Sequence, residues 1–367
     1  MVEEANKGTS NGVRTEAEAF TEVETSDSKD GKDEQKEVKQ KESTKSTEEL
    51  SLDDDEKLIS EVETLVKARK VLVAARLLES VKDQSKLDDG HHKLIQQAKS
   101  VQSVIDLHLS PPESGWKTQS ESHGHRDTMI YYQVDDQSRL TCRIETPIES
   151  SLLIPLISVF NETELFHTWM PRWEYPMRVG LEKTEKLKEM GIGCQIIHAK
   201  LDMPWPLKNR DVVQEVCSVD EIDDDNHAIV IWVESCDEGD DDLDGLIPPP
   251  LAKDVRMKAE IGIMIRKCPE DHPCLAESKA KYPSGEHLIL MSLTTHADAH
   301  VKFVPQSIIN FVTRTVLGGM WGSTLKLAEG IRNGKSPLHQ EAIEANRSMY
   351  DWVEGRVETL FSNIAEK

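Results

Sequence analysis

The stretch Pro204-Trp205-Pro206-Leu207-Lys208-Asn209-Arg210-Asp211-Val212-Val213 decides how this chain is read. Two prolines flanking an aromatic cannot donate ladder hydrogen bonds and hold the backbone extended, so they mark a strand end or corner rather than a strand centre. Asn209-Arg210-Asp211 follows as a polar turn, and the β-branched run Val212-Val213-Gln214-Glu215-Val216-Cys217 re-enters a sheet. The whole reads as strand, corner, strand. Working outward, the apolar patterning predicts strands over 194–203, 212–217, 228–233, 257–267 and 287–295, joined by acidic or Gly/Pro-rich turns as in an antiparallel meander. Upstream, 129–134 and 140–146 read as a short antiparallel pair and 150–160 as a helix. Downstream, a long amphipathic helix opens at Pro305 and runs to about Ile331, carrying Ile308, Ile309, Val312, Val316, Met320 and Leu327. A final helix over 337–365 shows Ile343, Tyr350, Val353, Val357 and Leu360.

The N-terminal third is different in kind. Residues 1–50 are rich in Glu, Lys, Ser and Thr with Phe20 as their only aromatic, a composition that cannot bury enough apolar surface to offset ordering entropy, and they read as a disordered acidic tail. Over 53–109 the apolar residues recur at helical spacing in two stripes, Leu58 to Leu77 and Leu94 to Ile105, separated by Asp88-Asp89-Gly90. That pattern predicts a helical hairpin. Whether it docks on the main domain, forms a coiled coil or binds another protein is not fixed by the pattern.

Composition narrows the function classes. Across 367 residues, 44 Lys and Arg against 67 Asp and Glu give a formal charge of −23, which repels phosphate backbones, and no basic patch with interleaved aromatics offsets it. Nucleic acid is excluded as a partner, and contact with an anionic membrane is expected to be transient. Six scattered cysteines without metal or disulfide spacing suit buried thiols in a reducing compartment. With no secretory leader and no apolar run near the roughly 20 residues of a membrane span, the expected location is cytoplasmic, peripheral at membranes at most.

Helices first, a meander of strands next and one long amphipathic helix last, together with the Pro-Trp-Pro-x-x-Asn-Arg-Asp-x-Val corner, resembles the START domain family, the lipid-binding fold of phosphatidylcholine transfer protein and the steroidogenic acute regulatory protein. The resemblance covers 116–333. Besides the corner it is carried by the strand Lys258-Ala259-Glu260-Ile261-Gly262-Ile263-Met264-Ile265 and by the closing segment Val301-Lys302-Phe303-Val304-Pro305-Gln306-Ser307-Ile308-Ile309-Asn310. It implies an α+β helix-grip fold, a curved antiparallel sheet wrapped around the closing helix, with a tunnel that holds one lipid (phospholipid, sphingolipid or sterol) and no chemical step. Transfer between membranes follows from the same resemblance. The alternative is a lipid-sensing or scaffolding adaptor whose tail and hairpin bind protein partners.

A lipid tunnel needs an apolar lining, and the candidates are Val212, Val216, Val230, Trp232, Ile261, Ile263, Ile265, Leu288 and Leu290 on the strands, faced by Ile308, Ile309, Val312, Val316 and Met320 on the closing helix. Aligned on the corner, Lys200 stands where phosphatidylcholine-transfer-like members carry an acidic side chain, and Val216 where many members carry arginine. Lys200 is therefore the candidate partner for a lipid phosphate, with the solvent face of its strand, shared with His198 and Asp202, as the plainer alternative. Pro204, Trp205, Pro206, Asn209, Arg210 and Asp211 form the structural corner, the last two pinning it by mutual and backbone hydrogen bonds. Gly318-Gly319 marks either a hinge of the closing helix or a close packing point, and 220–226 is the other candidate gate. No catalytic motif, cofactor site or metal site is expected: Cys268, His272 and Cys274 lack a fourth ligand, and His296, Asp298 and His300 sit where a strand passes into a loop.

Overall fold

The computed structural model describes residues 54–111, 113–123, 125–135, 139–170, 172–174, 178–203, 205, 208–236, 243, 245–252, 254–275, 282, 285–298 and 311–362. The tail 1–50, Pro204, Pro206, His300, Pro305, Ile308, Ile309 and the side chains of Asp298 and Val312 lie outside the described residues.

Three helices lead the chain: α1 (Asp54–Lys67), α2 (Val71–Ser80) and α3 (Asp89–Leu109). The first expected helix is thus two. It breaks at Arg69, whose φ of 64° is left-handed, because the break serves a tertiary contact. There the Arg69 carbonyl accepts from the amide of Asp220 at 2.9 Å and its Nε donates to the Ser218 carbonyl at 3.3 Å. Asp88 caps α3 by accepting from the His91 amide, so the acidic break in the sequence is a helix start.

The strands are β1 (Lys117–His123), β2 (Asp127–Val134), β3 (Leu140–Glu149), β4 (Arg172–Trp173), β5 (Val179–Gly191), β6 (Cys194–Asp202), β7 (Asn209–Glu221), β8 (Ala228–Ser235), β9 (Asp254–Arg256), β10 (Lys258–Lys267) and β11 (Leu288–Asp298). They form one sheet of order β1-β2-β3-β11-β10-β8-β7-β6-β5-β4, antiparallel throughout except that β9 runs parallel beside β7. Patterning missed β5, whose Leu-Glu-Lys-Thr-Glu-Lys-Leu-Lys-Glu run shows little apolar alternation. Such charge suits a strand near the sheet's rim, where it deters pairing with other chains.

Helix α4 (Leu153–Asn161) follows β3, and a π-helical segment (Phe311–Leu317) runs into α5 (Gly318–Arg332). The final expected helix is a pair, α6 (Pro337–Ala345) and α7 (Arg347–Ser362), broken at Asn346, whose side-chain amide donates to Glu162 at 3.2 Å. On the concave side Ile148, Ile229, Ile263, Ile265, Ile289 and Met291 pack with Leu156 of α4, Trp321 and Ala328 of α5, and Tyr350 and Val353 of α7. This is the helix-grip α+β architecture.

The opposite face is covered as well. Val71, Leu72 and Ala75 of α2 and Ala98, Val101 and Ile105 of α3 pack on Val219, Val230, Trp232 and Met264. Arg143, 1% exposed, reaches up from β3 to the end of α3 and donates to the carbonyls of Leu107 and Ser110 at 3.2 and 2.8 Å, satisfying acceptors that a helix end leaves open. Its guanidinium lies 4.6 Å from the Trp116 ring centre and 4.9 Å from that of Tyr131. Gly262 lets α3 approach, since a Cβ there would stand 2.4 Å from Val104 Cγ1 and 2.8 Å from Thr294 Oγ1. Gly262→Ala is accordingly expected to destabilise the fold by about 1–3 kcal/mol through overpacking, read as a lower denaturant midpoint.

Candidate functional site

The site is the space between the concave face and α4, α5 and α7, and the ladder fixes which side chains enter it. Antiparallel partners share a face, so Ile263, paired with Ile231 on one side and Leu293 on the other, sets the phase of its neighbours. Ile261, Ile263 and Ile265 point inward. Val216 does too, lining a void of about 50 Å³ with Phe160, Ile229, Ile231, Ile265, Trp352 and Val353. Val212 lies on the same strand face as Val216 and is buried.

Val230 and Trp232 face the other way, under α2 and α3, and Leu290 packs with Cys268 and Leu275 while Leu288 sits beside them. The inward residues on these strands are Ile229, Ile231, Ile289 and Met291. On α5 the core stripe is Trp321, Leu325, Ala328 and Ile331, joined by Leu317, so Val316 and Met320 fall beside the stripe and are half-buried.

Lys200 does not reach the interior. It pairs on the ladder with Asp211 and its ammonium lies 3.8 Å from the buried carboxylate of Asp254, on the convex face. Its neighbours there are buried rather than solvated: His198 Nε2 lies 2.7 Å from Asp211, which also accepts from Arg256. Asp211 therefore pins the corner, yet its partners are His198 and Arg256. Arg210 instead donates to the Lys208 carbonyl at 2.6 Å. Asn209 holds both sides of the turn, accepting from the Met203 amide and donating to Asp202, each at 3.1 Å. Trp205 stands at the corner 90% exposed.

The His and Cys groups weighed in the sequence as metal ligands have other contacts. His272 Nε2 lies 3.3 Å from Glu145, Cys268 and Cys274 enter separate apolar clusters, and His296 Nδ1 is 2.9 Å from Thr141 Oγ1. Burial works against the Glu145 charge, but the His272 hydrogen bond and the Arg143 guanidinium outweigh it and hold its carboxyl below the usual range. Burial pushes His108, over Gly262, down to about 3.

The turn after β7 is where the two faces meet. Asp223 accepts from Lys70, at the start of α2, at 3.1 Å and from Arg356 of α7 at 2.6 Å, and Asp220 accepts from Arg356 at 3.1 Å. A second open groove, about 940 Å³, runs between β1, β2 and α5 over Ile130 and Trp321. Its Arg126 is already paired, at 2.6 Å to Glu149 and 2.7 Å to Glu329.

This arrangement, a curved sheet gripping a C-terminal helix behind a polar-pinned corner, is a helix-grip fold. No family model matches the chain and no curated protein matches it in sequence. Among solved structures, human STARD10 is 15% identical over 68% of this chain and 89% of its own, with a TM-score of 0.44. Human StAR-related lipid transfer protein 5 is 13% identical over 65% of this chain and 97% of its own, with a TM-score of 0.45. A STAR-related lipid transfer protein fragment from Xanthomonas axonopodis is 18% identical over 58% and 99%, with a TM-score of 0.40. No described helix is long and apolar enough to cross a membrane.

Lys200→Leu is expected to leave the class of any co-purifying lipid unchanged, as read by mass spectrometry, while costing about 1–3 kcal/mol by stranding the buried Asp254. Glu221, unexposed at the end of β7, is pushed up to about 7 by burial and by the charge of Asp224, from the usual 4.5. Between those pH values the folded chain keeps a proton that the unfolded chain has released, so stability falls as pH rises through that window. Glu221→Gln is expected to flatten that fall and to be the more stable protein at pH 8, measured by thermal melting across the range.

Proposed function

We propose that the chain binds one lipid inside the grip, between the concave face and α4, α5 and α7, and carries it between membranes without a chemical step. The observation that carries this reading is the aliphatic inner wall of Ile229, Ile231, Ile263, Ile265, Ile289 and Met291, of which Ile229, Ile231 and Ile265 border a mainly apolar void. A lipid chain of about 16 carbons leaves a bilayer at a cost of roughly 13 kcal/mol, at about 0.8 per methylene, and only such a wall offsets it. Trp205 adds a means of membrane contact. It projects at the corner beside Lys208 and Arg210, and an exposed indole with adjacent cations suits a bilayer's interfacial layer.

The void's size supports a second reading. Its roughly 50 Å³ falls well short of the about 300–1,000 Å³ of a typical ligand pocket, so a lipid has to displace part of the wall. A grip that stays filled would act as a scaffold, with the N-terminal helices or the tail recruiting a protein partner.

The deciding experiment incubates delipidated protein with vesicles of phosphatidylcholine, sphingomyelin and cholesterol, then weighs it by native mass spectrometry. One bound lipid per chain is expected, and no uptake from any vesicle overturns the carrier reading in favour of the scaffold. Trp205→Ala is expected to slow transfer between vesicles severalfold while leaving the bound lipid unchanged.

A further inference from the structure

The helices beyond the gripped one carry the next inference, which rests on the lipid-binding reading above. α6 and α7 join α5 through a short turn in which Gly334 takes a φ of 71°, left-handed backbone that glycine adopts without strain. From there α7 lies over the apolar void. Met349, Trp352 and Val353 form its roof, and Phe160, Val216 and Ile231 are among the residues of its walls and floor.

The void is close to the outside at one place. Asn161, Ile192, Gly193, Gln195 and Met349 line both the void and an open cleft of about 280 Å³ between the β5–β6 turn and the start of α7. The interior is thus separated from solvent there by the first turns of α7 and the tip of one hairpin. Ile192, at that tip, is 38% exposed, an apolar side chain standing at the mouth. Lys186 and Glu189, 3.4 Å apart, and Ser348 make the rim polar.

What holds α7 down includes a few directed polar bonds. At its start the Tyr350 hydroxyl donates to Glu162 at 2.6 Å and Asn346 donates to the same carboxylate. Farther along, Arg356 clasps Asp220 and Asp223. On α6, His339 sits buried between Ser158 and Thr168, its ring nitrogens 2.9 and 3.1 Å from their hydroxyls. α7 is also seated by the core contacts of Tyr350, Val353, Val357 and Leu360, and because directed bonds break and re-form as units, they set when the pair lifts as one body about Gly334.

We propose that the void under α7 is the inner end of a binding site for an aliphatic chain, and that α6–α7 is the lid over it, released when Arg356 lets go of the 220–223 turn. The chain slides in past Ile192 and its polar end stays at the Lys186–Glu189 rim. Access then lies at the β5–β6 end of the grip, and Gly318 and Gly319 take no part in it.

The test uses the full chain, delipidated, with pyrene-dodecanoic acid as the probe and stopped-flow fluorescence as the readout. Arg356→Gln is expected to raise the uptake rate about tenfold, the effect of shifting an opening equilibrium by about 1.4 kcal/mol. Ile192→Trp, which narrows the mouth at an exposed position, is expected to slow uptake, and Gly318→Ala with Gly319→Ala to leave it at the parent rate. Hydrogen exchange on Arg356→Gln should show α6 and α7 losing protection together while β8, β10 and β11 keep theirs. If the parent takes up the probe and both Arg356→Gln and Ile192→Trp match its rate, the lid is wrong and the lipid-binding reading stands. Uptake by neither the parent nor Arg356→Gln overturns both. Should Arg356→Gln lose protection throughout the sheet, the rate of Ile192→Trp alone decides.

Discussion

Burial of the sheet on both faces is the constraint from which the rest of this structure follows. α4, α5 and α7 fill the concave side and α2 and α3 cover the convex one. A polar group that these layers bury has to find its partner within the protein, because water does not reach it there. Arg143 is the clearest case: its charge is met by Glu145 at 3.4 Å, its Nη1 donates to the carbonyls at the end of α3, and its flat faces meet Trp116 and Tyr131. The same requirement explains the His198–Asp211–Arg256 group beneath the corner. Removing either covering layer would strand charges that the other layer cannot satisfy.

Two-sided burial also explains what the sequence could and could not disclose. In β10, Glu260 and Gly262 alternate with Ile261, Ile263 and Ile265, and the inward face was readable. In β8 and at the start of β11, Ala228-Ile229-Val230-Ile231-Trp232-Val233 and Leu288-Ile289-Leu290-Met291 are apolar at every position, since each face meets helices or a turn, and alternation carries no phase. On pattern alone Val230, Trp232, Leu288 and Leu290 read as inward-facing for that reason. Only the hydrogen-bonded register against β10 resolves them. The corner at Pro204–Val213 was legible because proline and asparagine constrain the backbone locally. The left-handed Arg69 and the side-chain bond from Asn346 to Glu162 were not, because what breaks those helices is a partner more than a hundred residues away in the chain.

The turn after β7 ties the two layers into one system. Lys70 approaches Asp220 and Asp223 from the N-terminal helices and Arg356 from α7, and the two cations share the Asp223 carboxylate. Each cation lowers the repulsion between the carboxylates and so strengthens the setting for the other. The N-terminal helices and α7 are thus joined through one acidic turn that bypasses the sheet.

The pairing of β3 with β11 has a consequence for how the protein is made. β2 and β3 can close their hairpin as soon as they leave the ribosome, but the other edge of β3 waits until Ile289 arrives to meet Ile148, after α4 and every strand from β4 to β10 has been synthesised. Through that interval β3 offers a bare edge lined with Ile144 and Ile148, open to pairing with a neighbouring nascent chain. The wait also sets an order of assembly. In chain order the strand that completes the sheet, β11, precedes α7, so the wall of the interior is made before its roof.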